Sequence, residues 1–290
     1  METIPTHWPP HAPVPAEAAP ADFVTQLGHV EAHADGSLRL LTLAHHLNLN
    51  ARVHGGVALG LHSEALHRTA RRLAAESGRS LRARLGSLDL RFISAALEGA
   101  VLRAEVAVEM HRRSVAFLRC QLFAGDQLVS VAVATYLFDA DAGDPSRTPQ
   151  PTAQPPVDAR LLTTVDASMK HMGPFFERSL PEGEYAAGFV AGPKNIDREH
   201  GTVHDGMVMY LADYACGRVA LRRARRMCVT LNMQVRCYQP AMLGEWVEFA
   251  PRARHAAGDF VFVDTECVAG GRVVMSIGSV WKTVGPAIPR

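Results

Sequence analysis

Short apolar runs, each bounded by polar or glycine-containing turns, occupy most of this chain, and two longer apolar stretches interrupt them. After each long stretch come four runs rich in Val, Leu, Phe and Arg, separated by turns such as "AGDQ" and "AGGR". Consecutive strands joined by tight turns predict an antiparallel sheet. The long stretches, starting at "HGG" (54–56) and "HDG" (204–206), predict helices of about 20 residues. A single long helix per block must bury itself against that block's sheet, an α+β arrangement.

The two blocks are copies of one another. Laid over each other, "VHGGVALGLHSEALHRTARR" and "VHDGMVMYLADYACGRVALR" pair His54 with His204, Gly56 with Gly206, Leu61 with Leu211 and Arg72 with Arg222, all at an offset of 150. Farther on the offset is 145, pairing Arg91 with Arg236 and Gly99 with Gly244. Repetition on this scale defines the architecture. It divides the chain into a proline-rich arm (1–20), a first domain (21–138), a linker "DADAGDPSRTPQPTAQPPVD" (139–158) and a second domain (159–290). One helix wrapped by one curved sheet, twice in tandem, is a double hotdog.

Bulk composition narrows the partners. Thirty Lys and Arg stand against 29 Asp and Glu, a net charge of +1 that gives no footprint for nucleic acid or an anionic membrane. No stretch of 18 consecutive apolar residues and no secretory signal is present, so a cytoplasmic protein is expected. Five cysteines without a CxxC pair argue for reduced thiols rather than a disulfide framework or a zinc ribbon.

One residue contradicts its surroundings. Asp213 interrupts the apolar face of the second long helix, in "HGTVHDGMVMYLADYACG" (200–217). A desolvated carboxylate costs several kcal/mol unless it is paired, hydrogen-bonded or protonated.

The motifs "GPFFERS", "HGTVHDGMVMYLAD", "VTLNMQVRCYQPAMLGEWVE" and "GRVVMSIGSVW" in the second copy resemble the hotdog thioesterases of the phenylacetyl-CoA (PaaI-like) type. The first copy resembles them more loosely, through "NARVHGG" and "LRFISAALEG". The resemblance implies hydrolysis of acyl-CoA thioesters without a cofactor, coenzyme A being part of the substrate. It implies that the glycine after the HGG histidine offers its N–H to the thioester carbonyl, assisted by an asparagine six positions earlier. A helix aspartate and a Ser or Thr on the next strand handle water. Asp213 and Thr230 match the second pair; Gly55 and Asn48 match the first. The second copy has Arg198 and Asp205 where asparagine and glycine are expected, and the first has Ser63 and Leu85 where aspartate and hydroxyl are expected.

Each copy therefore lacks what the other keeps. Nine helical residues separate Asp213 from the start of its own helix, roughly 13 Å, too far for one thioester to touch both. The carboxylate is expected to serve the other copy's helix tip, with the two helices antiparallel. The symmetry-related site, Ser63 facing Asp205, is expected to be inactive. Glu64 could replace the missing aspartate but points about 100° away on an ideal helix.

His54 and Gly56, which shape the helix tip, are candidate substrate-binding residues. Arg222 and Arg223 are candidates for coenzyme A phosphates, against the plainer reading of solvated charge at a helix C-terminus. His200 and His204 suggest a metal only weakly, because no third ligand is in view, and none is expected. A non-catalytic acyl-CoA binder is the rival function. A hydratase or dehydratase lacks its signatures here. Association into a dimer of fused chains is expected.

Overall fold

The computed structural model describes residues 22–77, 81–140, 152–163, 165–181, 184–197 and 200–287. The arm expected over 1–20, most of the linker, and Arg198 lie outside the described residues.

The first copy runs α1 (Phe23–Leu27), β1 (Val30–Ala32), β2 (Leu38–Leu41), α2 (Gly55–Glu76), β3 (Leu81–Phe92), β4 (Val101–Arg112), β5 (Val115–Ala124) and β6 (Gln127–Ala140). The second runs β7 (Arg160–Leu161), α3 (Ala167–Met172), β8 (Phe176–Ser179), β9 (Tyr185–Val190), β10 (Ile196–Asp197), β11 (Thr202–Val203), α4 (Asp205–Ala224), β12 (Arg226–Cys237), β13 (Trp246–Phe249), β14 (Arg252–Ala257), β15 (Phe260–Ala269) and β16 (Arg272–Ala287). The two long helices begin where the sequence places them. Each starts at a histidine cap whose Nδ1 accepts the N–H two residues on: Gly56 to His54 at 2.9 Å and Gly206 to His204 at 3.0 Å.

Among the described residues one antiparallel sheet is ordered β1-β2-β4-β5-β6-β3-β12-β16-β15-β13-β9-β8-β7, with β14 paired to β15. The copies join at β3 and β12, where Asp89 pairs with Gln234 and the register runs from Ser87–Arg236 to Arg91–Asn232. Asp89 and Gln234 are repeat equivalents at the offset of 145, so the seam is centred on a pseudo-twofold axis. Asn232 Nδ2 and Gln234 Nε2 donate to the two Asp89 oxygens at 3.0 and 3.2 Å, pinning that register.

Both helices are buried on nearly every side, α2 from Gly56 through His67 and α4 from Gly206 through Asp213, so the polar members His62, Ser63, Glu64, His67 and Asp213 are buried with the apolar ones. They pack on one another and on their own copy's strands, so one core cluster draws on both repeats. The contacts between helices are reciprocal: the start of α2 meets Asp213 of α4, and His204 at the start of α4 meets Glu64 of α2. Such contacts require the helices to run antiparallel. The five cysteines are free thiols. Among the described residues no helix is long and apolar enough to cross a membrane.

Candidate active site

The tip of α2 sits against the middle of α4. A Cβ added to Gly55 would lie 2.6 Å from Asp213 Oδ2, so only glycine permits this approach. Gly56 is confined in the same way by the Tyr210 ring, at 2.7 Å from a hypothetical Cβ. Tyr210 also stacks on the His54 ring, with centroids 5.2 Å apart, and its hydroxyl bonds Ser168 of α3. The Gly56 N–H is taken by the His54 cap, whereas the Gly55 N–H has no partner among the described residues. It is one of the donors every helix start leaves over, here held beside a carboxylate.

Asp213 is 5% exposed, and Thr230 donates its hydroxyl to Oδ1 at 2.8 Å. Thr230 owes its aim to a bulge: the β12–β16 register shifts between Thr230 and Asn232. The same bulge recurs in the first copy between Leu85 and Ser87, where leucine leaves no hydroxyl to present. His54 Nδ1 lies 3.5 Å from Asp213 Oδ2, but that nitrogen already accepts the Gly56 N–H and has no proton for the carboxylate. Burial pushes the Asp213 carboxyl above the ordinary aspartate range; the Thr230 hydroxyl and the Gly56 N–H oppose it without cancelling it.

A cavity of about 520 Å³ opens onto this junction, within the usual size range for small-molecule sites. Asn48, His54, Gly55, Asp213 and Thr230 all line it, as do Phe92, Ile93, Leu102 and Trp281 on the apolar side. Asn48 Oδ1 accepts the N–H groups of Asn50 and Arg52 at 2.9 and 3.3 Å, which leaves its Nδ2 end as a donor. Arg222 and Arg223 are exposed and do not line this cavity: Arg222 lies over the Tyr185 ring at 4.8 Å. Arg218, one turn earlier, does line it, and its guanidinium bonds Glu177 at 3.2 Å. Two participants escaped the sequence reading. Tyr210 stands three residues before Asp213, on the same helix face, and that spacing was a usable signal. Arg218 was one more arginine in a basic helix end.

In the symmetry-related region Asp205 lines a 40 Å³ chamber with His67, Asp197, His200 and His204, and Ser63 is buried in α2 outside that lining. The acid that meets the α4 tip is Glu64, whose Oε2 accepts from His204 Nε2 at 3.2 Å, while Arg68 Nε donates to Oε1 at 2.5 Å. Glu64 reaches the ring of His204 rather than the chamber that Asp205 lines. Burial alone would raise its pKa, but the bonds from His204 and Arg68 hold it at about 2. Leu85 occupies the place of Thr230 in this chamber, and burial raises the Asp205 carboxyl. An acid sits where the other site has glycine.

Residues 200–276, which contain Asp213 and Thr230, match the thioesterase superfamily. Comparison with curated proteins finds no match. Among solved structures the acyl-CoA thioesterase II of Mycobacterium marinum is similar to this chain with a TM-score of 0.67 and 14% identity, over 91% of this chain and 98% of its own. The tesB protein of Mycobacterium avium subspecies paratuberculosis gives 0.65 and 13%, over 91% and 98%. A conserved protein of unknown function with hot dog fold from Alicyclobacillus acidocaldarius gives 0.64 and 13%, over 89% and 97%. Likeness at such identities establishes the fold: this chain carries the hotdog fold, which its tandem repeat builds twice.

Proposed function

We propose that this protein hydrolyses acyl-CoA thioesters at one composite site, to which the first copy contributes Asn48 and Gly55 and the second Asp213 and Thr230. The observation that carries the reading is the unpartnered Gly55 N–H at the tip of α2, held against the buried Asp213 carboxylate of the other copy. The thioester carbonyl would accept from Gly55 N–H and Asn48 Nδ2, donors reinforced by the helix dipole and worth on the order of 100- to 1000-fold each. Asp213, oriented by Thr230, takes a proton from water as the oxygen adds to the carbonyl carbon. The tetrahedral oxyanion then collapses, the C–S bond breaks, and the thiolate leaves to be protonated. Attack by Asp213 itself would form a mixed anhydride instead; single-turnover hydrolysis in ¹⁸O water distinguishes the two by label in the aspartate. The apolar wall at Phe92, Ile93, Leu102 and Trp281 suits an acyl or aryl tail.

The matched family and the thioesterase names of the structural neighbours support this class of reaction. The PaaI-like motifs of the second copy supply the narrower assignment within it, and association into dimers of the fused chain belongs to the same reading. A panel of acyl-CoAs assayed for thiol release tests it. Steady turnover by the parent, lost in folded Asp213→Asn, is expected; tight binding without turnover would make the protein an acyl-CoA binder instead.

A further inference from the structure

The pseudo-twofold axis places the 40 Å³ chamber at the α4 tip opposite the composite site. Its walls carry more metal-binding chemistry than any acyl pocket needs. His67 comes from α2 of the first copy; Asp197 ends β10 and His200 lies in the turn before β11, both in the second. Asp197 Oδ2 is 2.9 Å from His200 Nδ1 and 3.2 Å from His67 Nε2, and the three atoms lie within 4.8 Å of one another. Ligand atoms around a tetrahedral zinc, at bonds of about 2.0–2.1 Å, stand roughly 3.3 Å apart.

The second observation concerns His67 alone. Its residue is 8% exposed, and its Nε2 is buried without a hydrogen-bond partner among the described residues. Asp197 Oδ2 faces it at 3.2 Å, a charge contact rather than a well-formed hydrogen bond. A buried ring nitrogen left this way needs a reason. His204 supplies none, because its Nδ1 accepts from Gly206 and its Nε2 is engaged with Glu64.

We propose that His67, Asp197 and His200 bind a divalent transition-metal ion, with zinc the best match to two imidazoles and one carboxylate. The chamber has room for an ion and about one water, which would complete four-coordination. Arg71 Nη2, 2.9 Å from Asp197 Oδ2, orients the carboxylate, and the Asp205 carboxyl in the same chamber offsets the added cation. The ligands are 130 residues apart in sequence (197 − 67), so the ion would tie the two copies together at the end of the helix pair remote from hydrolysis. In the sequence only His200 and His204 stand near one another, because the third ligand, His67, belongs to the other repeat.

The test uses the full chain, stripped with EDTA and titrated with zinc chloride by calorimetry, with elemental analysis of the untreated protein. One zinc per chain and a rise in Tm with zinc are expected. His200→Ala, on a loop, should lose roughly tenfold or more in affinity together with the Tm rise. Because His67 is buried in α2, His67→Gln is read only after its circular dichroism matches the parent. No zinc bound near one per chain, or zinc bound equally by the parent and His200→Ala, overturns the proposal and leaves an ion-pair network around Asp197. Neither measurement reads thioester hydrolysis, so failure here and failure of the hydrolase reading are separate results.

Discussion

Asp213 is desolvated more than its contacts compensate, and this pulls rate and stability in opposite directions. As a base it is useful in its ionised form, and the raised pKa makes that form a stronger base nearer neutrality. Activity is therefore expected to fall as pH drops through that raised value, giving an acid limb above the ordinary aspartate range. For stability the sign reverses. The folded chain holds this proton more tightly than the unfolded one, so stability declines as pH rises from the unfolded aspartate range through the raised pKa, and stays lower above it. Asp213→Asn, which can still accept from Thr230, should be inactive yet melt higher than the parent at pH 7, by about 1 kcal/mol. Thermal melts at pH 7 check it; a lower melting point would mean that the charge is well compensated. Arg218 lines the cavity and Arg222 and Arg223 do not. Accordingly Arg218→Ala should raise KM several-fold with kcat little changed, while the double change of Arg222 and Arg223 to Ala leaves both constants as they were. Steady-state kinetics of the two variants decide the matter.

At the level of elements, the helix starts, the repeat and the antiparallel helix pair were legible, and the strand register was not. The helix starts at 55 and 205 followed from histidine and glycine preceding an apolar stretch, and the offsets of 150 and 145 exposed the duplicated strands. The repeated bulge at Leu85 and Thr230 was invisible, because a bulge depends on how two strands register rather than on one strand's residues. The Glu64–His204 contact was invisible for a similar reason: an ideal-helix angle says nothing of side-chain length or of the partner helix's approach. The α2–α4 pair thus carries two different acid contacts, one to a glycine tip and one to a histidine. Glu64→Ala is expected to cost about 2 kcal/mol, from a buried His204 N–H left unpaired and an ion pair lost, discounted because the Arg68 side chain is 41% exposed. Thiol release should persist, since Glu64 does not line the composite cavity. The Glu64 carboxylate, held at about 2, contributes stability that is present above the unfolded glutamate range and lost as pH falls toward 2. The variant's deficit in denaturant melts should shrink over that same interval.

On the scale of the molecule, duplication explains why losses in each copy are tolerable. A pair of identical hotdogs would have two equivalent tips and two equivalent acids. Fusion into one chain lets the two tips differ, one carrying Gly55 and the other Asp205, on either side of the seam at Asp89 and Gln234. The sequence disclosed that complementarity, but only the antiparallel helices bring Asp213 to Gly55. The central claim is that residues from both copies serve one site, and a double-mutant cycle on thiol release from a good acyl-CoA substrate tests it most directly. Asn48→Ala and Asp213→Asn should each lower kcat by roughly 100-fold or more, and the double variant should fall little below the worse single. If instead each single variant keeps about half of the parent rate and only the double variant is inactive, each copy works alone and the composite site does not exist.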